Sequence, residues 1–301
     1  MINSIKITTK TGLTQTFDLR RPELSGLLIR SVSGLGPGSV DLKMTDYASL
    51  PGSINSGSRK PTRNIVFDTV AMWKNTVEQA RHLVERWFKI GEEINIIFYT
   101  DTRTCYIDGV VESNEPDIFS TDGLDGVPIQ ISIVCPDPRF YDVNDTVLVT
   151  YSSLQGGFSF PASIANAEPV GILESENKFN IVYDGTEDEG VIFTFVFKQQ
   201  ASKLKIINYK YGTYMLFEAP DIIFKPGDVL TINTKIGEKS VLLKKAEDGN
   251  TYNYLNYYQL YLSEWVKLEQ GTNSFVVEIN GAQSTTAYNI RITYTKAYWG
   301  I

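Results

Sequence analysis

From residue 146 onward the chain alternates short apolar–polar runs with turn signals, and no stretch there carries a helical apolar stripe. Strands are expected at residues 146–151, 180–183, 191–198, 203–208, 214–218, 229–233, 240–245, 257–262, 275–279 and 288–295. Asp184-Gly185, Lys225-Pro226-Gly227-Asp228, Asp248-Gly249-Asn250 and Asn280-Gly281 supply the turns between them. Many short strands at this spacing mean a β-sandwich or barrel. Val191, Phe193, Phe195 and Phe197 share one face of a strand and are expected in its core.

The first half is also mostly β. Strands are expected at residues 4–8 and 13–19 around Lys10-Thr11-Gly12, then at 64–70, 94–100, 104–112 and 127–135. A polar segment rich in Gly, Ser and Pro, residues 31–63, reads as a long loop. One helix is expected at 77–89. Thr76 and Gln79 make a capping-box pair at its start, and Val77, Ala80, Leu83, Val84, Trp87 and Phe88 line one face. Gly91 suits a left-handed stop.

The run Ile129-Gln130-Ile131-Ser132-Ile133-Val134-Cys135 alternates like a half-buried strand, and Pro136 and Pro138 then end it. This double-proline segment is expected to lead the chain out of one sheet and into a second domain. Composition changes at the same place: 13 of the 17 tyrosines lie beyond residue 145, with a single arginine, Arg291. The expected domains are 1–145 and 146–301, in keeping with a length of 301 residues.

Net charge is −7, with −4 in residues 1–145 and −3 in residues 146–301, so neither half has the basic balance of a nucleic-acid binder. No apolar run reaches the ~18 residues of a membrane span, and no signal peptide is visible. Two cysteines, Cys105 and Cys135, fit a reducing compartment better than a disulfide framework.

Chemistry-bearing patterns are few. The only histidine, His82, has Glu78 and Glu85 at helical spacing, an ordinary polar helix face. Neither cysteine has a metal-ligand or catalytic companion. The acidic loop 184–190 lacks the spacing of a calcium loop, and Gly34-Leu35-Gly36-Pro37-Gly38 lacks the Lys-Ser/Thr that completes a phosphate loop. No catalytic set, cofactor or metal site is therefore expected. Two features remain. Arg59, Lys60 and Arg63 end the long loop, which reads either as solvated or as an arm docking on a neighbouring subunit. Tyr252, Tyr254, Tyr257, Tyr258 and Tyr261 cluster in the second half, as cross-strand packing or as a partner- or glycan-binding face.

The residues resemble a family at this point. Gly36-Pro37-Gly38, Leu50-Pro51-Gly52-Ser53, the basic stretch before Asn64-Ile65-Val66-Phe67, and Cys135-Pro136-Asp137-Pro138-Arg139-Phe140-Tyr141 are similar to distal tail proteins of long-tailed phages. So are Ser263-Glu264-Trp265-Val266-Lys267-Leu268-Glu269-Gln270-Gly271, Asn273-Ser274-Phe275 and the last eight residues, Tyr294 to Ile301. The resemblance implies a structural virion protein, assembled in the host bacterial cytoplasm and located in the tail. It implies a tail-tube-like N-terminal domain forming a homo-hexameric ring and a galectin-like C-terminal sandwich. Its implied partners are the tail tube protein, the tail tip hub protein and receptor-binding or baseplate proteins; contractile tails and tail-like particles are included. The alternative reading is a carbohydrate-binding module. Against it, the galectin sugar motif His-x-Asn-Pro-Arg with a Trp-Gly pair is not matched, since His82 lies in the first half and Trp299-Gly300 at residues 299–300.

Overall fold

The computed structural model describes residues 1–72, 77–116, 126–144, 146–150, 178–221, 223–281 and 287–301. The chain forms two compact units, one of Met1–Asn144 with Ala297–Ile301, the other Asp145–Lys296.

The first unit opens with β1 (Ile2–Thr9), β2 (Thr14–Asp18), β3 (Leu27–Ser33), β4 (Asp41–Asp46), β5 (Ser53–Arg59) and β6 (Arg63–Met72). Helix α1 (Val77–Trp87) follows, then β7 (Glu93–Thr100), β8 (Thr104–Pro116), β9 (Gly126–Cys135) and β10 (Phe140–Asp142). The main sheet runs β2-β1-β7-β8-β9-β6-β3, all antiparallel. Period-2 alternation sends Ile5, Ile7, Phe67, Ile96, Phe98, Ile107, Ile131 and Ile133 to one buried cluster. The helix closes over it with Val84, Trp87 and Phe88, on the face its spacing predicts. Gly91 is left-handed, φ +79°, but lies four residues past the helix's end at Trp87, in the turn that leads into β7. Thr76 and the side chains of Val77 and Ala80 lie outside the described residues.

Two corrections arise here. The segment 31–63 is not a long loop: it finishes β3 and then forms a separate hairpin of β4 and β5. The two prolines do not lead the chain out of the sheet. Asp137 accepts hydrogen bonds from the backbone and guanidinium of Arg139 and from the Tyr141 hydroxyl, which makes 136–139 a turn. The chain then re-enters the same sheet as β10, pairing Tyr141 with Tyr106 and Asp142 with Cys105. Burial would raise the Asp137 pKa, but these hydrogen bonds outweigh it and hold the carboxyl below its ordinary value.

The second unit holds β11 (Thr146–Thr150), β12 (Lys178–Tyr183), β13 (Glu189–Gly190), β14 (Ile192–Phe197), β15 (Lys203–Asn208), β16 (Thr213–Glu218), β17 (Val229–Asn233), β18 (Ser240–Lys244), β19 (Thr251–Asn253), β20 (Lys267–Leu268), β21 (Gly271–Ile279) and β22 (Tyr288–Tyr294). One sheet is β11-β22-β14-β17-β18-β19 and another β12-β21-β15-β16. Their facing side chains make the expected sandwich core, with Phe193 of the first sheet edge-on to Phe275 of the second. Val191, Phe193, Phe195 and Phe197 are all buried there. The strand expected at 257–262 is instead a 3-10 turn, Leu255–Tyr257, and an irregular loop fastened to β16 by Gln259 N–H to the Leu216 carbonyl.

Phe197 lies flat on Phe224, ring centroids 4.3 Å apart and planes 7° from parallel, both fully buried. We expect Phe197→Ala to cost the second unit about 3–5 kcal/mol. Urea unfolding followed by hydrogen exchange of β14 and β7 peptides checks this. A fall in midpoint confined to β14 is the expected result; equal falls in both would show that the two units unfold as one.

The last strand, β23 (Ala297–Tyr298), belongs to the first unit and pairs with β10, Phe140 opposite Tyr298 and Tyr141 opposite Ala297. The sequence-based division had placed these residues in the second domain.

Candidate functional site: an exposed hairpin and its root

The hairpin of β4 and β5 is exposed along its whole length. Every side chain of both strands is exposed. Its register sets Leu42 opposite Ser58, Met44 opposite Asn55 and Thr45 opposite Ile54, with a bulge between Lys43 and Met44. Leu42 and Met44 therefore share one face and Ile54 points from the other. These three side chains are 54%, 53% and 51% exposed, and Tyr47 and Leu50 stand exposed at the tip. Local polar bonds shape the hairpin: Thr45 and Ser56 hydroxyls meet at 2.8 Å, Gly57 N–H donates to Asn55 Oδ1, and Tyr47 N–H donates to the Gly52 carbonyl. A lone two-stranded hairpin is marginal in water, so these bonds do not account for its order by themselves.

The root of the hairpin supplies the rest. Arg63 begins β6, and its side chain is 6% exposed. Its Nε donates to the Pro138 carbonyl at 2.6 Å, Nη1 to the Gly34 and Gly36 carbonyls at 2.5 and 2.7 Å, and Nη2 to the Trp299 carbonyl at 2.5 Å. The guanidinium also lies 4.8 Å from the Phe140 ring centre and 5.3 Å from that of Trp299. No carboxylate among the described residues bonds to it. Burial lowers its pKa from the ordinary value, yet arginine remains charged at neutral pH. Gly34 is required beside it: φ is +82°, and a Cβ there would stand 2.1 Å from the Asn64 carbonyl oxygen.

The three basic residues of the sequence reading thus separate. Arg63 is not available to a neighbouring subunit's acids, because its guanidinium is enclosed by carbonyls of its own chain. Arg59 is exposed at the end of β5, opposite Asp41. Lys60 is exposed and carries its ammonium 4.6 Å over the Trp299 ring.

The five tyrosines separate too. Tyr254 and Tyr258 are buried in the sandwich, Tyr258 against Phe217 and Trp265. Tyr257 is partly buried and stacks on Tyr254 at 4.7 Å. Tyr252 is exposed on β19 with its hydroxyl on Asp248, and Tyr261 is fully exposed on the 259–262 loop. They do not present a common face, because three of them are spent on packing.

Burial pushes the Cys105 thiol up to about 11 and the Cys135 thiol up to about 12, which leaves both as inert core groups. His82 Nδ1 meets Glu85 on an exposed helix face. Among the described residues no group of His, Cys, Asp or Glu is arranged to hold a metal ion. In the acidic loop Asp184 pairs with Lys296 and Asp188 with Lys267. No helix of the described residues is long and apolar enough to cross a membrane.

Residues 184–298 match the family model of the siphovirus-type tail component, C-terminal domain. The match lies in the second half of the chain and includes the segments 263–271 and 273–275, on which part of the resemblance to distal tail proteins rests. Among solved structures, the crystal structure of the SPP1 Dit (gp 19.1) protein, described as a paradigm of the hub adsorption apparatus in phages infecting Gram-positive bacteria, has the same fold. It aligns with a TM-score of 0.66 over 97% of this chain and 98% of that one, at 11% identity. A phage P2 baseplate structure in its activated conformation with Ca aligns over 97% and 98% of the two chains at 12% identity, with a TM-score of 0.47. The matched family and these neighbours are tail and baseplate proteins rather than enzymes. No curated protein matches the chain.

Proposed function

We propose that this chain is a structural protein of the phage tail tip, a distal tail protein whose first unit closes into a hexameric ring. The ring joins the tail tube protein to the tip hub, and the second unit projects as an anchor for receptor-binding or baseplate proteins. The protein is assembled in the host cytoplasm and resides in the virion. The family match over residues 184–298 carries the reading. The hairpin supports it, since it carries exposed apolar side chains, Leu42 and Met44 on one face and Ile54 on the other. In this reading the hairpin is the arm that lies on the adjacent subunit, and it docks through Leu42, Met44 and Ile54 rather than through a basic end.

Sixfold closure repeats one heterologous contact around the ring, so a modest interface per subunit suffices. Negative-stain imaging and native mass spectrometry of the purified protein test the reading. Rings of six copies are expected; a protein that stays monomeric at tens of micromolar, alone and with its tail tube protein, would overturn it. The glycan-binding alternative draws no support from the five tyrosines, three of which pack inside the sandwich.

A further inference from the structure

We propose that residues 299–301 form a clasp that holds the root of the hairpin in place, and that the clasp is secured only while the second unit is folded. Both chain segments that lead into the hairpin meet these three residues. On the incoming side, Trp299 Nε1–H donates to the Gly38 carbonyl at 2.9 Å, and Ile301 N–H donates to the Leu35 carbonyl at 3.1 Å. On the outgoing side, the Trp299 carbonyl accepts from Arg63, and the Trp299 ring lies under the Lys60 ammonium. Gly300 lets the strands close: a Cβ there would fall 2.8 Å from the Pro37 nitrogen and 2.9 Å from the Gly36 carbonyl carbon. The ring of Trp299 also passes 3.2 Å from where a Cβ of Gly38 would be.

These contacts are the hairpin's anchorage. Its strands bury nothing against the first unit, so its direction follows from its root. The clasp reaches the root by a short path from the second unit. Lys296, the residue before β23, is ion-paired at 2.9 Å to Asp184 of that unit, and β22 ends only two residues earlier. When the second unit unfolds, residues 299–301 hang on a long flexible tether, and their local concentration at the root falls. The hairpin's order then reports the state of the second unit. Any effect on assembly rests on the ring reading above; the clasp itself does not.

The test is hydrogen exchange of the full chain, at a concentration where it is monomeric, read in peptides covering residues 34–62. Trp299→Ala should speed exchange there more than tenfold while peptides of β1 and β7 keep their protection. Trp299→Phe keeps the ring but loses the donor to Gly38, and a rise of a few fold is expected, the size of one net hydrogen bond. Phe193→Ala, in the other unit's core, should speed exchange in 34–62 under the conditions where β14 has lost protection. Should Trp299→Ala fail to fold, the phenylalanine variant decides. Unchanged exchange in 34–62 in the phenylalanine and Phe193→Ala proteins would overturn the proposal. Ring assembly plays no part in this readout, so failure of the clasp and failure of the ring reading are distinguishable.

Discussion

Replacing Leu42, Met44 and Ile54 together by serine is expected to abolish ring formation and leave the monomer folded. Each of the three side chains is half exposed or more in the isolated chain, so the fold loses little apolar burial on substitution. Covering each on a neighbouring subunit contributes about 1 kcal/mol, the part of a full side-chain burial that remains to be gained. Three per contact give about 3 kcal/mol, roughly a hundredfold in each interface constant, and the ring repeats the loss at every junction. Light scattering of mutant and parent over a concentration series reads the assembly, with circular dichroism and the melting temperature as folding controls. Since the contact is apolar, the parent ring should hold or tighten as salt rises. Rings that persist unweakened in the triple serine variant would show that the hairpin lies outside the interface.

Arg63→Ala is expected to destabilise the first unit strongly. Removal of the guanidinium strips the Gly34, Gly36, Pro138 and Trp299 carbonyls of their shared donor in a buried site. Water would recover part of the loss. A cost of about 3–5 kcal/mol is expected, the range for breaking a buried charged cluster. For a unit of this size it amounts to a fall of about 10 °C in the first unit's melting transition. Arg63→Lys should recover little, because one ammonium cannot span carbonyls that the planar fork reaches in several directions. Calorimetry of the three proteins measures this, with the second unit's transition as internal reference. A first-unit transition within a degree of the parent's in the alanine variant would mean that the cage is incidental.

Legibility in the sequence followed burial. The strands expected at 203–208 and 229–233 are β15 and β17 to the residue, because one face of each faces a core and enforces alternation. The phenylalanines of β14 were readable for the same reason. The hairpin was not: neither of its faces is covered, so its sequence carries no period, and Gly, Ser and Pro content reads as loop. The turn at Pro136 and Pro138 was misread because what holds it is Asp137, whose partners Arg139 and Tyr141 only geometry reveals. Arg63 looked like one of three surface bases. Its distinction is that chain positions as distant as 34 and 299 bring carbonyls to it, and no local pattern encodes that.

The placement of β23 also has a consequence for the order of events at the ribosome. In the second unit Thr146 pairs with Tyr294, and in the first Tyr141 pairs with Ala297, so the outgoing and returning chain are partners in both. Once folded, the second unit keeps its two ends together and acts on the first unit as an internal cross-link. It removes the closure of a loop of residues 145–296, which by the usual logarithmic dependence on length is about 5 kcal/mol. Domains generally fold in the order in which they are synthesised. Here the unit that is translated first is finished last, because Arg63 and Phe140 wait for residues that follow the whole second unit. A chain interrupted anywhere before residue 297 leaves its first unit unfinished, without the strand that pairs with β10 and the carbonyl that meets Arg63.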